Sequence, residues 1–310
     1  MLTALLVPPP LTVARVFTAW RVEPGVLGAV AVLGGGYVAA LRRRGQPWPW
    51  SRTACFAAGV VLIAVVGSSF LGVYDDTLFW VRAVQNTLLL MVVPMLLALG
   101  APIRLVADLL PERRRGQLSR ILHSRAAQLL TFPLLVTVVL VVPLLVLYMS
   151  PLYELTLRSA VASGVAGVVV TATGFVYFWT RFRIDPTPRA DSYLVTLWIT
   201  IVEMIGDAVL GVVLWLGPLV AAGFYAALMR EWGPDLRTDQ IIGAGVLWIG
   251  GDVVGLPFIL LVVARMSRED EGRAAVVDAE LDAQEEAFPD QSGRLWWEDD
   301  PQLAQRFRRQ

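Results

Sequence analysis

The sequence predicts an all-α fold, a polytopic membrane protein built as a bundle of seven transmembrane helices, and three observations carry that expectation. Apolar residues fill 56% of the chain and charged ones only 17%, beyond what a soluble domain tolerates. Seven stretches stay apolar over the roughly 20 residues that a helix needs to cross a bilayer. Arginine gathers in alternate connections between those stretches, the mark of a fixed orientation.

Residues 1–24 are read as an extracytoplasmic segment: the start is apolar, but Pro8, Pro9 and Pro10 interrupt it and no cationic stretch precedes it, so it does not resemble a cleavable signal peptide. The membrane domain, residues 25–265, holds spans near 25–41, 52–73, 79–99, 126–149, 155–180, 193–217 and 240–264. The first connection carries Arg42, Arg43, Arg44 and Arg52. The third carries Arg104, Arg113, Arg114, Arg115, Arg120 and Arg125, and the fifth Arg181, Arg183 and Arg189. These three are expected in the cytoplasm. The second connection holds Asp75 and Asp76 and the fourth Glu154, which suits the opposite face. The N-terminus is therefore outside and the C-terminus cytoplasmic. Trp48, Trp50, Trp80, Trp179, Trp215 and Trp232 fall near span ends, where an amphipathic ring is stable at headgroup level.

Residues 266–310 form an acidic cytoplasmic tail, with twelve of the 26 acids and six of the 26 basic residues, so the neutral total hides a basic membrane body. Every basic residue is Arg, which reads as the codon bias of a GC-rich genome. Such a tail is solvated by default, though Trp296–Trp297 flanked by acids suggests a docking segment. No internal repeat is evident.

One histidine, His123, and one cysteine, Cys55, limit the chemistry. A single Cys excludes an internal disulfide and any Cys-based zinc or iron–sulfur site within the chain. A lone loop histidine gives no nucleophile–base arrangement for the membrane interior, so an enzyme is not expected. The glycines of Ile242-Gly243-Ala244-Gly245 and Gly250-Gly251, with Gly164 and Gly167, read as close helix contacts; no Gly-Lys-Ser or Gly-Lys-Thr follows to make a phosphate loop. The basic connections lack interleaved aromatics, so no nucleic-acid partner is expected. Met91 and Met95, four apart, offer thioethers suited to Cu(I), but methionine in apolar helices is ordinarily packing.

The polar residues inside the spans need more explanation. Arg82, Gln85 and Asn86 share one face of the third span, Glu203 and Asp207 one face of the sixth, Asp252 lies in the seventh, and Arg158 sits near the outer end of the fifth. Charge in the bilayer costs several kcal/mol unless it meets a partner or water. Arg82 and Arg158 paired with Asp207, Glu203 or Asp252 would fix helix register; the competing reading is an ion or proton path opening outward.

Together the segments Phe17-Thr-Ala-Trp-Arg-Val-Glu-Pro24, Arg44-Gly-Gln-Pro-Trp-Pro-Trp-Ser-Arg-Thr53, the third span through Pro94 to Leu99-Gly-Ala-Pro102, Gly174-Phe-Val-Tyr-Phe-Trp179, Asp185-Pro-Thr-Pro188, Asp239-Gln-Ile-Ile-Gly-Ala-Gly-Val-Leu-Trp248 and Trp296-Trp-Glu-Asp-Asp-Pro301 resemble the CtaG-type (caa3-type) cytochrome c oxidase assembly proteins, in the long form common in actinobacteria. The resemblance implies a multi-pass protein of the bacterial plasma membrane that supports maturation of the copper B centre of haem–copper oxidases. It also implies partners among the oxidase subunits or other assembly factors, beside the lipid bilayer. Histidines are expected to handle copper there. This sequence departs from that pattern: the family's His-Met-x-Gln-His in the third span is Arg82, Ala83, Val84, Gln85 and Asn86 here, residues 160–173 hold no histidine, with Gly167 and Val169 near the expected places, and Asp207 stands at or beside another histidine position. Two functions follow. One is an accessory or assembly factor of the respiratory chain whose His-based copper site has given way to charged and amide side chains, with no cofactor or metal of its own. The alternative is a transporter for copper or another small solute that uses the outer charged cluster.

Overall fold

Lipid offers no hydrogen bonds, so a spanning segment must satisfy its own backbone, and a helix does so within itself. The computed structural model describes residues 7–122, 124–125, 133–182 and 193–287, and every regular element among them is helical. In order these are α1 (Val13–Thr18), α2 (Pro24–Arg44), α3 (Trp50–Ser68), α4 (Phe70–Tyr74), α5 (Phe79–Thr87), a π-helical turn (Leu88–Val92), α6 (Val93–Leu99), α7 (Pro102–Leu109), α8 (Glu112–Leu122), α9 (Pro133–Met149), α10 (Leu152–Arg158), α11 (Ala160–Phe182), α12 (Tyr193–Leu216), α13 (Ala222–Ala227) and α14 (Leu236–Ala287). Four stretches among the described residues are long and apolar enough to cross a membrane: Pro24–Arg44, Trp50–Tyr74, Phe79–Leu109 and Ala160–Phe182. Val138–Met149 and Leu152–Arg158, bent by 72°, make a fifth if the pair is one span. The chain is thus a multi-pass membrane protein. The tail residues 288–310, with Trp296 and Trp297, and His123 lie outside the described residues.

Local chemistry sets the ends of these elements. Pro24 opens α2 and Gly45 closes it at φ +65°, with Arg42, Arg43 and Arg44 in the last turn where a helix end is electronegative. Ser69 is extended, its hydroxyl accepts from the Leu71 N–H at 3.3 Å, and α3 stops there so that α4 can turn inward. The expected fifth span, 155–180, is corrected: Leu155–Arg158 belong to α10, and α11 begins at Ala160 because Ser159 is extended at φ −136°. Pro151 caps α10, and that short helix carries Tyr153 and Thr156 into the core. The third connection, expected as a loop, contains α7 and α8; Ala101, at φ +51°, breaks the helix ahead of Pro102.

Proline also explains the π turn. In a regular α-helix Pro94 would supply no N–H and its ring would strike the carbonyl of Leu90, four residues back. Widening the helix over Leu88–Val92 relieves that clash, and α11 then packs its Gly174 backbone against the Leu90 carbonyl and the Pro94 ring. Of the glycines expected at helix contacts, Gly164 and Gly245 face open space and Gly167 meets Leu89 at an ordinary 3.7 Å, whereas Gly243 is crowded by the Phe79 ring.

The chain divides into two units, Met1–Phe258 and Ile259–Gln310. Within the first, one cluster joins Val66, Leu71, Tyr74, Leu78 and Val81, and another joins Tyr37, Phe56, Val60, Val93, Leu97 and Leu105, with the Tyr37 and Phe56 rings stacked 3.9 Å apart. Val32, Val61, Val165 and Val168 point outward, as they do where the surrounding solvent is hydrocarbon. The second unit is helical from Ile259 through Ala287.

Candidate functional site

The first turns of α5 bring the polar face of the third span into the protein interior. Arg82, Gln85 and Asn86 are all buried, together with Asp75 in the turn between α4 and α5. Arg82 Nη1 donates to Asp75 Oδ2 at 2.6 Å and to Gln85 Oε1 at 3.5 Å, while Nη2 donates to the Thr156 carbonyl at 3.3 Å and to Ser163 Oγ at 3.0 Å. Gln85 Nε2 reaches the Val66 carbonyl at 3.2 Å, and Asn86 Nδ2 the Tyr148 hydroxyl at 2.9 Å. One helical face therefore binds α3, α9, α10 and α11. A planar guanidinium suits this task because its donors diverge in fixed directions.

Around this network stand aromatic rings. Tyr148 stacks on Tyr153 with centroids 4.9 Å apart, Phe79 lies 5.6 Å from each, and the Tyr153 and Tyr225 hydroxyls share a hydrogen bond of 2.8 Å. Burial pushes the Tyr225 hydroxyl far above its ordinary range, so it stays protonated. Burial also pushes the Asp75 carboxyl up, while Arg82 draws it partly back. Among the described residues Asp75 is paired with Arg82 at 2.6 Å and stands 3.8 Å from Arg21.

The sequence expected other partners. Arg82 pairs with Asp75, expected only as a marker of the outer face. Arg158 does not join the network: it pairs with Glu154 one turn away at 2.6 Å, its side chain 54% exposed, and lies over the Phe224 ring. Residues four apart on one helix meet on its surface, and this pair is exposed there. Among the described residues no ion pair or hydrogen bond joins Asp252 to Arg82 or Arg158; Asp252 is half-buried on α14. Glu203 and Asp207 lie on α12, and their side chains are outside the described residues.

Sequence reasoning missed Asp239. The N-terminus of α5 has no cap of its own, and Asp239, buried at the start of α14, supplies one from a distant part of the chain: Oδ2 accepts from the Phe79 N–H at 3.2 Å and Oδ1 from the Trp80 N–H at 2.9 Å. Arg230 bonds the same carboxylate at 3.2 Å. Burial raises the Asp239 carboxyl against the pull of those two N–H groups and Arg230. Asp239→Asn keeps one acceptor oxygen and loses the charge, so thermal unfolding of the purified protein should report a loss of about 1–2 kcal/mol. An unchanged melting temperature would mean that Asp239 does not hold α5.

Among the described residues no group of three or more His, Cys, Asp or Glu side chains stands together as a metal site would require. Met91 is buried on the π turn and Met95 half-buried on α6, while Cys55 is half-buried on α3.

A sequence model described as cytochrome c oxidase caa3 assembly factor matches residues 35–269. Similar proteins include the uncharacterized protein Mb0105 of Mycobacterium bovis, 30% identical over 290 residues that are 89% of this chain and 43% of that one. The uncharacterized protein ML1998 of Mycobacterium leprae is 28% identical over 288 residues, 89% of this chain and 44% of that one. The chain thus spans less than half the length of these curated relatives. No solved structure matches.

Proposed function

Because the chain belongs to the cytochrome c oxidase caa3 assembly factor family, we propose that it is a membrane accessory or assembly factor for a haem–copper cytochrome c oxidase, one in which a His-based copper site has been replaced by structural side chains. Supporting this reading is the full engagement of Arg82, Gln85 and Asn86 with neighbouring helices. A guanidinium has no lone pair to give a metal and an amide is a hard donor, whereas Cu(I) takes thiolate, thioether or imidazole. These residues do not fit copper.

In this reading the protein is not an enzyme and acts through helix contacts with oxidase subunits or other assembly factors. Its membrane domain has seven spans over residues 25–265, with the N-terminus outside, residues 1–24 extracytoplasmic and the acidic residues 266–310 cytoplasmic. The alternate placement of the Arg-rich connections supports that orientation.

Deletion tests the proposal. Oxidase activity in membranes should fall, and added copper should fail to restore it. Rescue by copper would point to delivery, as would stoichiometric Cu(I) binding by the purified protein that Met91→Ala or Cys55→Ala abolishes. Unchanged oxidase activity would remove the assembly role itself.

A further inference from the structure

The residues ahead of α2 are fastened to the bundle, yet they turn an apolar edge outward. Thr12 caps α1, its hydroxyl accepting from the Arg15 N–H at 3.4 Å. On either side of that helix the chain is tied down: Tyr74 Oη donates to the Pro9 carbonyl at 2.8 Å, and the Arg21 N–H donates to the Ser68 carbonyl at 2.7 Å. Ala19 is buried in the cluster of Val66, Leu71, Tyr74, Leu78 and Val81, and Leu11 packs against it. Away from that contact Val13 is 80% exposed, Phe17 73%, Trp20 59% and Val22 77%.

Helix geometry sorts these side chains. At about 3.6 residues per turn, Val13 and Phe17 share one face of α1 and the exposed Arg15 stands on the opposite one. Past the helix, the Trp20 indole N–H donates to the Phe17 carbonyl at 2.9 Å, so the ring keeps no donor that needs water.

The plain alternative is an arm held in water. Large apolar side chains gathered on one short segment would then stay hydrated, which soluble surfaces avoid. Placement favours lipid. Ser68 ends α3, Tyr74 ends the span Trp50–Tyr74, and Pro24 opens the span Pro24–Arg44. A segment bonded to Ser68 and Tyr74 and leading into Pro24 therefore runs at the depth where these spans leave the hydrocarbon. Its apolar exposure continues along the chain into Leu27 of α2, a helix with only 6% of its apolar window buried inside the protein and the rest turned to acyl chains. A short helix with an aromatic and aliphatic face and an arginine opposite suits the boundary between acyl chains and headgroups.

We propose that α1 and Trp20 form an interfacial anchor, with Val13, Phe17 and Trp20 inserted into the leaflet at the Pro24 end of α2 and Arg15 among the lipid phosphates. The occupant of this edge is lipid, because the edge runs on into a helix that already faces lipid. The anchor steadies the start of α2, which the bundle itself holds little.

Single-cysteine variants test the placement. On the Cys55→Ala background, Val13→Cys, Arg15→Cys and Phe17→Cys each receive one nitroxide, and the full-length protein is reconstituted into vesicles of phosphatidylcholine and phosphatidylglycerol. Collisions with oxygen, which concentrates among acyl chains, are compared with collisions with a water-soluble nickel chelate. The oxygen-to-nickel ratio at position 17 should exceed that at position 15 several-fold. Position 13 should follow 17, and it supplies the reading if the Phe17 variant does not fold. Nickel access at 13 and 17 equal to that at 15 overturns the anchor. So does shielding of 13 and 17 that is present in native membranes and lost in the vesicles, which would assign the edge to a partner protein.

Discussion

Arg82→Met is expected to cost about 3–5 kcal/mol of stability, because it takes from a buried carboxylate its nearest charge partner and leaves only the half-exposed Arg21 at 3.8 Å. Asp75 and Arg82 are both nearly inaccessible and meet at 2.6 Å. The two single variants should differ in pH dependence. Burial already pushes the Asp75 carboxyl up, and Arg82, ahead of Arg21 and Gln85, draws it back; without Arg82 the group rises further. The folded variant then binds a proton that the unfolded chain releases above the ordinary carboxylate value of about 3.9. Stability is therefore kept at low pH and lost as pH rises through the raised value. The deficit of Arg82→Met should widen as pH rises above the ordinary carboxylate value. Asp75→Asn strands a guanidinium that has no neutral form in this range and removes the raised carboxyl whose stability contribution the wild type loses as pH rises, so its deficit should narrow with rising pH. Asp75→Asn/Arg82→Met should recover much of the loss. Thermal unfolding in detergent across that range reads all three; equal, pH-independent losses in both single variants would refute the account.

This network shows what a sequence can and cannot reveal. Arg82, Gln85 and Asn86 were legible because polar side chains three and four apart in an apolar helix demand an internal partner. Their partners were less legible. Asp75 stands seven residues before Arg82, but a loop acid beside a span also reads as a topological signal. Only the fold of α4 onto α5 places it against the guanidinium. Asp239 is harder still, since it caps a helix from 160 positions away in the chain, and capping patterns read from sequence look only to the residue before the helix. Arg158 misled for the opposite reason. Its partner Glu154 is local, on a short helix bent by 72° from the stretch before it.

Glycine gave the same lesson at the packed core, and it leads to the second large effect. Paired glycines such as Gly164 and Gly167 catch the eye as contact motifs, but among the described glycines the tightest approach belongs to a single one, Gly174. A Cβ there would overlap the Leu90 carbonyl oxygen and stand 2.6 Å from Pro94 Cγ. Neither obstacle is free to move: the carbonyl belongs to the π turn that Pro94 imposes, and the proline ring is rigid. Gly174→Ala should therefore cost about 1–3 kcal/mol, near the upper end for overpacking. Gly174→Leu should leave no correctly folded protein in the membrane, as read by size-exclusion of a fluorescent fusion. Gly164→Ala provides the contrast, since nothing lies within 4 Å of its added methyl; helix propensity alone predicts no loss there. Equal behaviour of Gly164→Ala and Gly174→Ala would mean that α11 does not rest on the Leu90 carbonyl. Loss confined to Gly174 would tie the proline, the π turn and the helix contact into one device. That device holds the third span rigid where Arg82 and Asn86 make their bonds, so Gly174→Ala should also weaken the Asp75–Arg82 coupling measured by the double-mutant cycle.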